Sequence, residues 1–186
     1  MFNPNTTTPL KDVLAHYVAT ISIQKRSYKT EACRIKALTD ILGEHSLSDV
    51  TPAHVAAFRD KRLSTPHPRT PEKTVGPSTV KLELMLLSHV FSTAITEWGM
   101  DHLVNPVLKI RKPKTPPGRS RRLSPEEEKK ILRAAIRHPN HELYAIIVLA
   151  LETAMRQGEI LALLWENVSW KKRTVFLPHT ESPLLS

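Results

Sequence analysis

The residues with the clearest chemical potential lie in Leu149-Ala-Leu-Glu-Thr-Ala-Met-Arg156-Gln-Gly-Glu159-Ile-Leu-Ala-Leu-Leu-Trp165. One cation, Arg156, stands between Thr153 and Gly158, with a carboxylate, Glu159, three residues later. A guanidinium is a fork of N–H donors suited to carboxylate or phosphate oxygens, and a carboxylate one helical turn away can aim it. The apolar residues on either side predict two buried helices. Arg156 is then placed in the sharp connection between them, and Leu161, Leu163, Leu164 and Trp165 lie in the second. Such a position suits a residue that holds an anion, although a helix-turn-helix corner with a structural arginine fits the same pattern.

Charge points to the kind of anion. The 186 residues carry a net charge of +9, which favours a polyanionic partner. Residues 1–107 hold 12 basic and 10 acidic groups, and residues 124–186 hold 8 of each. The excess is concentrated in Lys109, Arg111, Lys112, Lys114, Arg119, Arg121 and Arg122, a run with no acid among them. Neutralising several phosphates from such a segment would make binding steeply salt-dependent and largely indifferent to base sequence. A solvated flexible tether is the competing reading of the same run.

The other reactive groups are less promising. The single cysteine, Cys33, rules out an internal disulfide and a cysteine-built zinc site. The nine histidines fit no metal-ligand spacing; His138 and His141 lie at a helix start and read as solvated capping residues. Tyr144 reads as a core residue of its helix, and Trp98 and Trp165 as packing residues. No apolar run approaches the ~18 residues of a membrane span. Residues 1–8 lack a basic segment followed by an apolar one, so the expected compartment is the cytoplasm.

Helical periodicity organises the first half. Thr8-Pro9 predicts a cap with proline at the first helical position, followed by Leu10, Val13, Leu14, Tyr17, Val18 and Ile21. A second helix is predicted from Ser27 to Gly43 and a third from Thr51-Pro52. Four prolines and a glycine in residues 64–77 predict a loop. Ser78 is expected to cap a long fourth helix ending at Gly99, and Asn105-Pro106 to end the bundle. A basic linker, 108–123, follows. Ser124-Pro-Glu-Glu-Glu opens a second unit, 124–186. Its next helix, capped by Asn140, is expected to bury Leu143, Ile146, Ile147, Ala150 and Leu151, and Arg173–Pro178 to form one short strand. With about 63 residues and an unpartnered strand, this unit is expected to be marginally stable beside an independently stable four-helix bundle.

Leu151-Glu-Thr-Ala-Met-Arg-Gln-Gly-Glu-Ile-Leu-Ala-Leu-Leu-Trp-Glu-Asn-Val168 resembles the first catalytic-arginine motif of the tyrosine recombinases, or phage-type integrases. That motif reads Thr-Gly-x-Arg-x-x-Glu, then Ile or Leu and x-x-Leu-x-Trp; Ala154 here replaces the glycine. A helical bundle, a basic linker and a Leu-Ser-x-x-Glu helix opening agree with the family's core-binding domain (four-helix, SAM-like) joined to its catalytic domain. Residues 80–91, Trp98-Gly99 and residues 151–159 further resemble the shufflon-specific branch, whose members invert plasmid DNA segments.

The resemblance implies a partner, double-stranded DNA held in a C-shaped clamp, and no metal or nucleotide cofactor. It also implies attack by a tyrosine hydroxyl on a phosphodiester, giving a 3′-phosphotyrosyl link, with the leaving oxygen protonated by a hairpin lysine. Arg156 matches the first phosphate-holding arginine and Glu159 the acid that orients it. Lys25, Arg26 and Lys29, with Thr79 and Lys81, fall on the two helices that resemble the family's DNA-facing pair. Arg111, Lys112, Lys114, Arg119, Arg121 and Arg122 form the linker crossing the duplex. The hairpin lysine, the His-x-x-Arg and the late tyrosine have no counterparts: Pro178–Pro183 holds no lysine, and the tyrosines are Tyr17, Tyr28 and Tyr144. The expectation is a truncated recombinase unable to cleave alone, able to associate with an intact enzyme or form an oligomer on DNA. The alternatives are the front part of an active enzyme completed elsewhere and a helical DNA-binding regulator.

Overall fold

Apolar residues three and four apart along four segments generate the first unit. In the computed structural model, which describes residues 4–25 and 27–177, these segments are α1 (Leu10–Thr20), α2 (Tyr28–Leu42), α3 (Pro52–Ser64) and α4 (Pro77–Thr96). Val80, Leu84, Leu87, Phe91 and Ala94 of α4 are fully buried against Leu10, Leu14 and Tyr17 of α1, Leu38 of α2 and Phe58 of α3. The fold class is mainly α. The chain divides into two compact units, one up to Gly118 and one from Arg119 onward, a division that falls inside the basic run.

Helix ends follow local chemistry, with some shifts from expectation. Thr51 Oγ1 accepts the His54 N–H at 3.3 Å and caps α3. α4 ends at Thr96 with Glu97 as its cap, short of the expected Gly99; Gly99 follows with φ +70°, and the Met100 N–H reaches back to the Ala94 carbonyl at 3.1 Å. That bond, six residues back along the chain, needs the left-handed residue that glycine supplies. The expected Ser78 cap is corrected: α4 begins at Pro77 with Gly76 in the cap position and no side-chain cap, because proline's fixed φ suits the first helical residue. α1 likewise begins one residue after its expected proline. Pro9 occupies the cap position, bridged to Ser46.

Residues 64–77 are not simply a loop. They form a hairpin of β1 (Pro66–His67) and β2 (Thr70–Thr74). Proline is excluded from central strands, but in a two-stranded hairpin each strand has a free edge where the missing N–H costs nothing. Arg62 of α3 clasps Glu83 of α4 through Nε–Oε2 at 2.9 Å and Nη2–Oε1 at 2.7 Å. Glu83 is 2% exposed, so the bidentate clasp is what makes its burial tolerable.

The second unit contains α5 (Pro125–Ile136), α6 (Glu142–Thr153), α7 (Gln157–Leu161), and a hairpin of β3 (Val168–Ser169) and β4 (Thr174–Val175). Ser124 Oγ accepts the Glu127 N–H, and the Glu127 carboxylate accepts the Ser124 N–H at 3.0 Å, a reciprocal cap. Asn140 Oδ1 accepts from the Glu142 N–H at 3.0 Å, although His141 holds the cap position. The expected strand therefore has a partner, β3, that periodicity over two residues could not reveal.

Burial is the main correction here. Among the described residues of this unit only Ala135 and Ile160 are buried. Leu143, Ile146 and Ile147 are half-buried, whereas Ala150 and Leu151 are exposed, since no described element lies over that face of α6. The second helical segment ends at Leu161, and Leu161, Leu164 and Trp165 are exposed. Trp165 does not pack in a helix; it stacks on Trp170 with ring centroids 6.2 Å apart. Trp98 packs on the core of the first unit.

Two outcomes follow from this distribution of burial. Under limited proteolysis, residues 119–177 are cut well before residues 10–110, read by mass spectrometry of the fragments. Replacing either Arg62 or Glu83 by alanine lowers the first unit's stability by about 3–5 kcal/mol, whereas R62M/E83L costs less than either, measured by urea unfolding of the full chain.

Candidate phosphate site and nucleic-acid interface

The turn that presents Arg156 begins where α6 cannot continue. Ala154 adopts φ 54°, ψ 21° as the C-cap, a left-handed conformation that costs an alanine about 1 kcal/mol relative to glycine. The chain then reverses, and Arg156 becomes the residue preceding α7. Glu159, in the first turn of α7, accepts twice: from the Arg156 backbone N–H at 2.7 Å and from Arg156 Nη1 at 2.9 Å. The carboxylate therefore fixes both the root and the tip of the arginine. Arg156 stays 74% exposed in its side chain, and its remaining N–H groups have no protein partner among the described residues. An outward guanidinium held from behind can grip an oxyanion with little reorganisation. It does not lie between buried helices as the sequence suggested, because the apolar faces on either side are uncovered.

Glu159 responds to these bonds. The Arg156 backbone N–H, followed by its guanidinium, holds the carboxyl below the usual range, because both donors favour the ionised form.

The other candidates separate into cations already neutralised and cations left open. Lys25 turns inward: its Nζ lies 2.6 Å from Tyr17 Oη and 3.2 Å from Glu31 Oε1. Burial lowers its proton affinity, but the hydrogen bonds to Tyr17 and Glu31 outweigh this and hold its pKa above the usual lysine value. The geometry thus makes Lys25 an internal strut between α1 and α2 rather than an open phosphate contact. Arg26 lies outside the described residues. Lys29 and Thr79 are exposed on the first turns of α2 and α4, and Lys81 is half-buried.

Arg111, Lys112, Lys114, Arg119, Arg121 and Arg122 are all exposed along a stretch without helix or strand. Arg121 is paired with Glu127, which leaves it less available than the others. Arg59 Nη1 donates to the Arg111 carbonyl at 2.8 Å, tying the start of this stretch to α3. Neither the Arg59 strap nor the role of Lys25 carries a periodic signal, so sequence spacing alone does not reveal them. The segment Pro178–Pro183, in which no lysine replaces the expected proton donor, lies outside the described residues. No group of three or more His, Cys, Asp or Glu side chains that could hold a metal ion occurs among the described residues, and no described helix is long and apolar enough to cross a membrane.

Comparison with known proteins agrees with this organisation. Residues 121–182 match the phage integrase family. Over those residues the chain carries that family's domain. It is a homologue of a shufflon-specific DNA recombinase of Escherichia coli, 41% identical over 174 residues that cover 93% of this chain and 44% of that protein. An integrase/recombinase of Haemophilus influenzae is 33% identical over 184 residues, 93% of this chain and 47% of that protein. Among solved structures, a lambda integrase dimer bound to a core site superposes with a TM-score of 0.73 at 24% identity, over 94% of this chain and 59% of that chain. The chain spans about half the length of the curated relatives it matches. Ala154 stands where the family motif has glycine, and its positive φ explains that preference.

Ala154→Gly is expected to raise the second unit's stability by up to about 1 kcal/mol, seen as a higher thermal midpoint. The Glu159 carboxyl should titrate below the ordinary glutamate value of about 4.3. Because its pKa is lowered on folding, its contribution is complete above that ordinary value and disappears as pH falls through the folded value. In R156A the NMR-detected midpoint rises only part of the way, since the residue-156 backbone N–H still donates.

Proposed function

We propose that this chain is the DNA-holding half of a site-specific recombinase, with Arg156 as its first phosphate grip. The observation that carries the proposal is the Arg156–Glu159 pair: a guanidinium anchored at 2.9 Å from one side and open on the other. The supporting parts are the unpaired cations of the basic stretch and the first turns of α2 and α4, which face solvent as phosphate contacts require. The lambda integrase that this chain resembles in fold was solved bound to a core site.

In this reading residues 1–107 and the linker 108–123 supply affinity through the DNA backbone, and residues 124–186 deliver one catalytic arginine. Arg156 stabilises charge on the non-bridging oxygens as the phosphodiester is attacked. It can neither attack phosphorus nor protonate the leaving oxygen. No tyrosine follows Tyr144 in the sequence, so this chain by itself has no counterpart of the family's nucleophile. It would occupy DNA without cutting it, alone, as an oligomer, or beside an intact recombinase. A second reading, the front part of an enzyme completed by another polypeptide, is favoured by one observation: Leu149, Leu151, Leu164 and Trp165, in the segments before and after the arginine, are exposed, as expected of side chains made to be covered.

Incubation with supercoiled DNA carrying inverted-repeat sites separates these readings. The proposal expects a salt-sensitive complex and no covalent adduct after denaturation in detergent. An adduct from this chain alone would contradict it; an adduct only after adding a separately expressed C-terminal half of a relative would establish the second reading.

A further inference from the structure

The β1–β2 hairpin has no role in the core or in the site described so far. Its base is fixed: the Val75 N–H donates to the Thr65 carbonyl at 2.9 Å, and Val75 is buried. Its tip is also fixed. His67 Nδ1 accepts the Arg69 N–H at 3.3 Å and lies 2.9 Å from Thr70 Oγ1. Pro66, Pro68 and Pro71 further restrict the backbone.

What this rigid element presents is charge. Arg69 and Lys73 are exposed, and neither forms an ion pair among the described residues, unlike Arg59 and Arg62 of neighbouring α3. Along β2, alternation puts Lys73 and Pro71 on one face and Glu72 on the other, so the lone acid points away from the lysine. Pro66 and Pro71 discourage pairing with a further strand, and the hairpin exposes no large apolar side chain. A polyanion fits this surface better than a protein strand or an apolar partner.

β2 also runs directly into α4. Lys73 lies three residues before Gly76, roughly 10 Å along an extended chain at about 3.3 Å per residue. That distance corresponds to about three nucleotide steps of 3.4 Å along one strand.

We propose that the β1–β2 hairpin is a second DNA-contacting element of the first unit. Arg69 and Lys73 engage backbone phosphates a few nucleotides beyond those facing Thr79 and Lys81 at the start of α4. The proposal rests on the reading that this unit binds duplex DNA, and it assigns the hairpin the job of lengthening the contact along one strand.

The test compares the full-length chain with R69A/K73A and E72Q on a 30-base-pair duplex, by fluorescence anisotropy across a salt series. All substitutions are at exposed positions, and thermal unfolding of each variant checks that the fold is kept. R69A/K73A should reduce the slope of log K against log salt by about 1.8, near 0.9 per phosphate released, with roughly tenfold weaker binding at low salt. E72Q should bind more tightly than the parent. If the parent binds with a steep slope and R69A/K73A retains it, the hairpin proposal is overturned while the DNA-binding reading stands. If the parent shows no salt-dependent binding, both fall.

Discussion

A cation can hold a phosphate only with N–H groups that no carboxylate of the protein already holds. That constraint sorts the positive charge of this chain more informatively than the net value does. Lys25 serves Glu31 and Tyr17, Arg62 serves Glu83, and Arg59 serves Asp60 and the Arg111 carbonyl. These side chains hold helices together. The cations of the basic stretch, apart from Arg121, make no such pairs among the described residues, and neither does Lys29. Arg156 combines both conditions, since Glu159 takes its backbone N–H and one terminal nitrogen while the rest of the fork points outward. A grip needs that combination, because an unanchored arginine would lose rotamer freedom on binding and a fully paired one would have nothing to offer.

The same constraint relates stability to function. The first unit buries a continuous apolar cluster and can afford two ion pairs that are largely withdrawn from water. Their geometry is bidentate or supported by neighbouring hydroxyls, which is the condition under which such pairs are tolerated. The second unit depends on local devices instead: the reciprocal Ser124–Glu127 cap, the Thr153–Ala154 turn and the Glu159 bond to the α7 start. Those devices shape the Arg156 turn with little help from a core. The site is therefore specified locally, and its surroundings are not.

Much of this was legible in the sequence because it is written at short range. The four helices of the first unit follow from apolar spacing, and the Ser124 cap from Ser-Pro-Glu-Glu-Glu. The Arg156–Glu159 pair follows from a three-residue separation at a helix start. What spacing could not supply was the fate of side chains that meet across the fold. Lys25 reads as a basic residue at a helix opening until Glu31 and Tyr17 are seen to surround it. The prolines of residues 64–77 argue against a strand only where both edges are occupied, so their number conceals the hairpin. Apolar runs in α6 predict burial, yet burial requires a covering surface, and none of the described residues provides it for Ala150 and Leu151.

The claim that Arg156 holds a backbone phosphate is most directly tested by a double-substitution cycle. A duplex bearing the recombination site of a shufflon-type relative is synthesised with one neutral methylphosphonate at successive positions, and binding of the parent chain is compared with that of R156A. At one backbone position the parent should lose about tenfold in affinity or more, while R156A, already weakened, should lose little further; a coupling of about 1.5–3 kcal/mol is expected of a hydrogen bond to a charged group. Equal losses for the two proteins at every position would contradict the account.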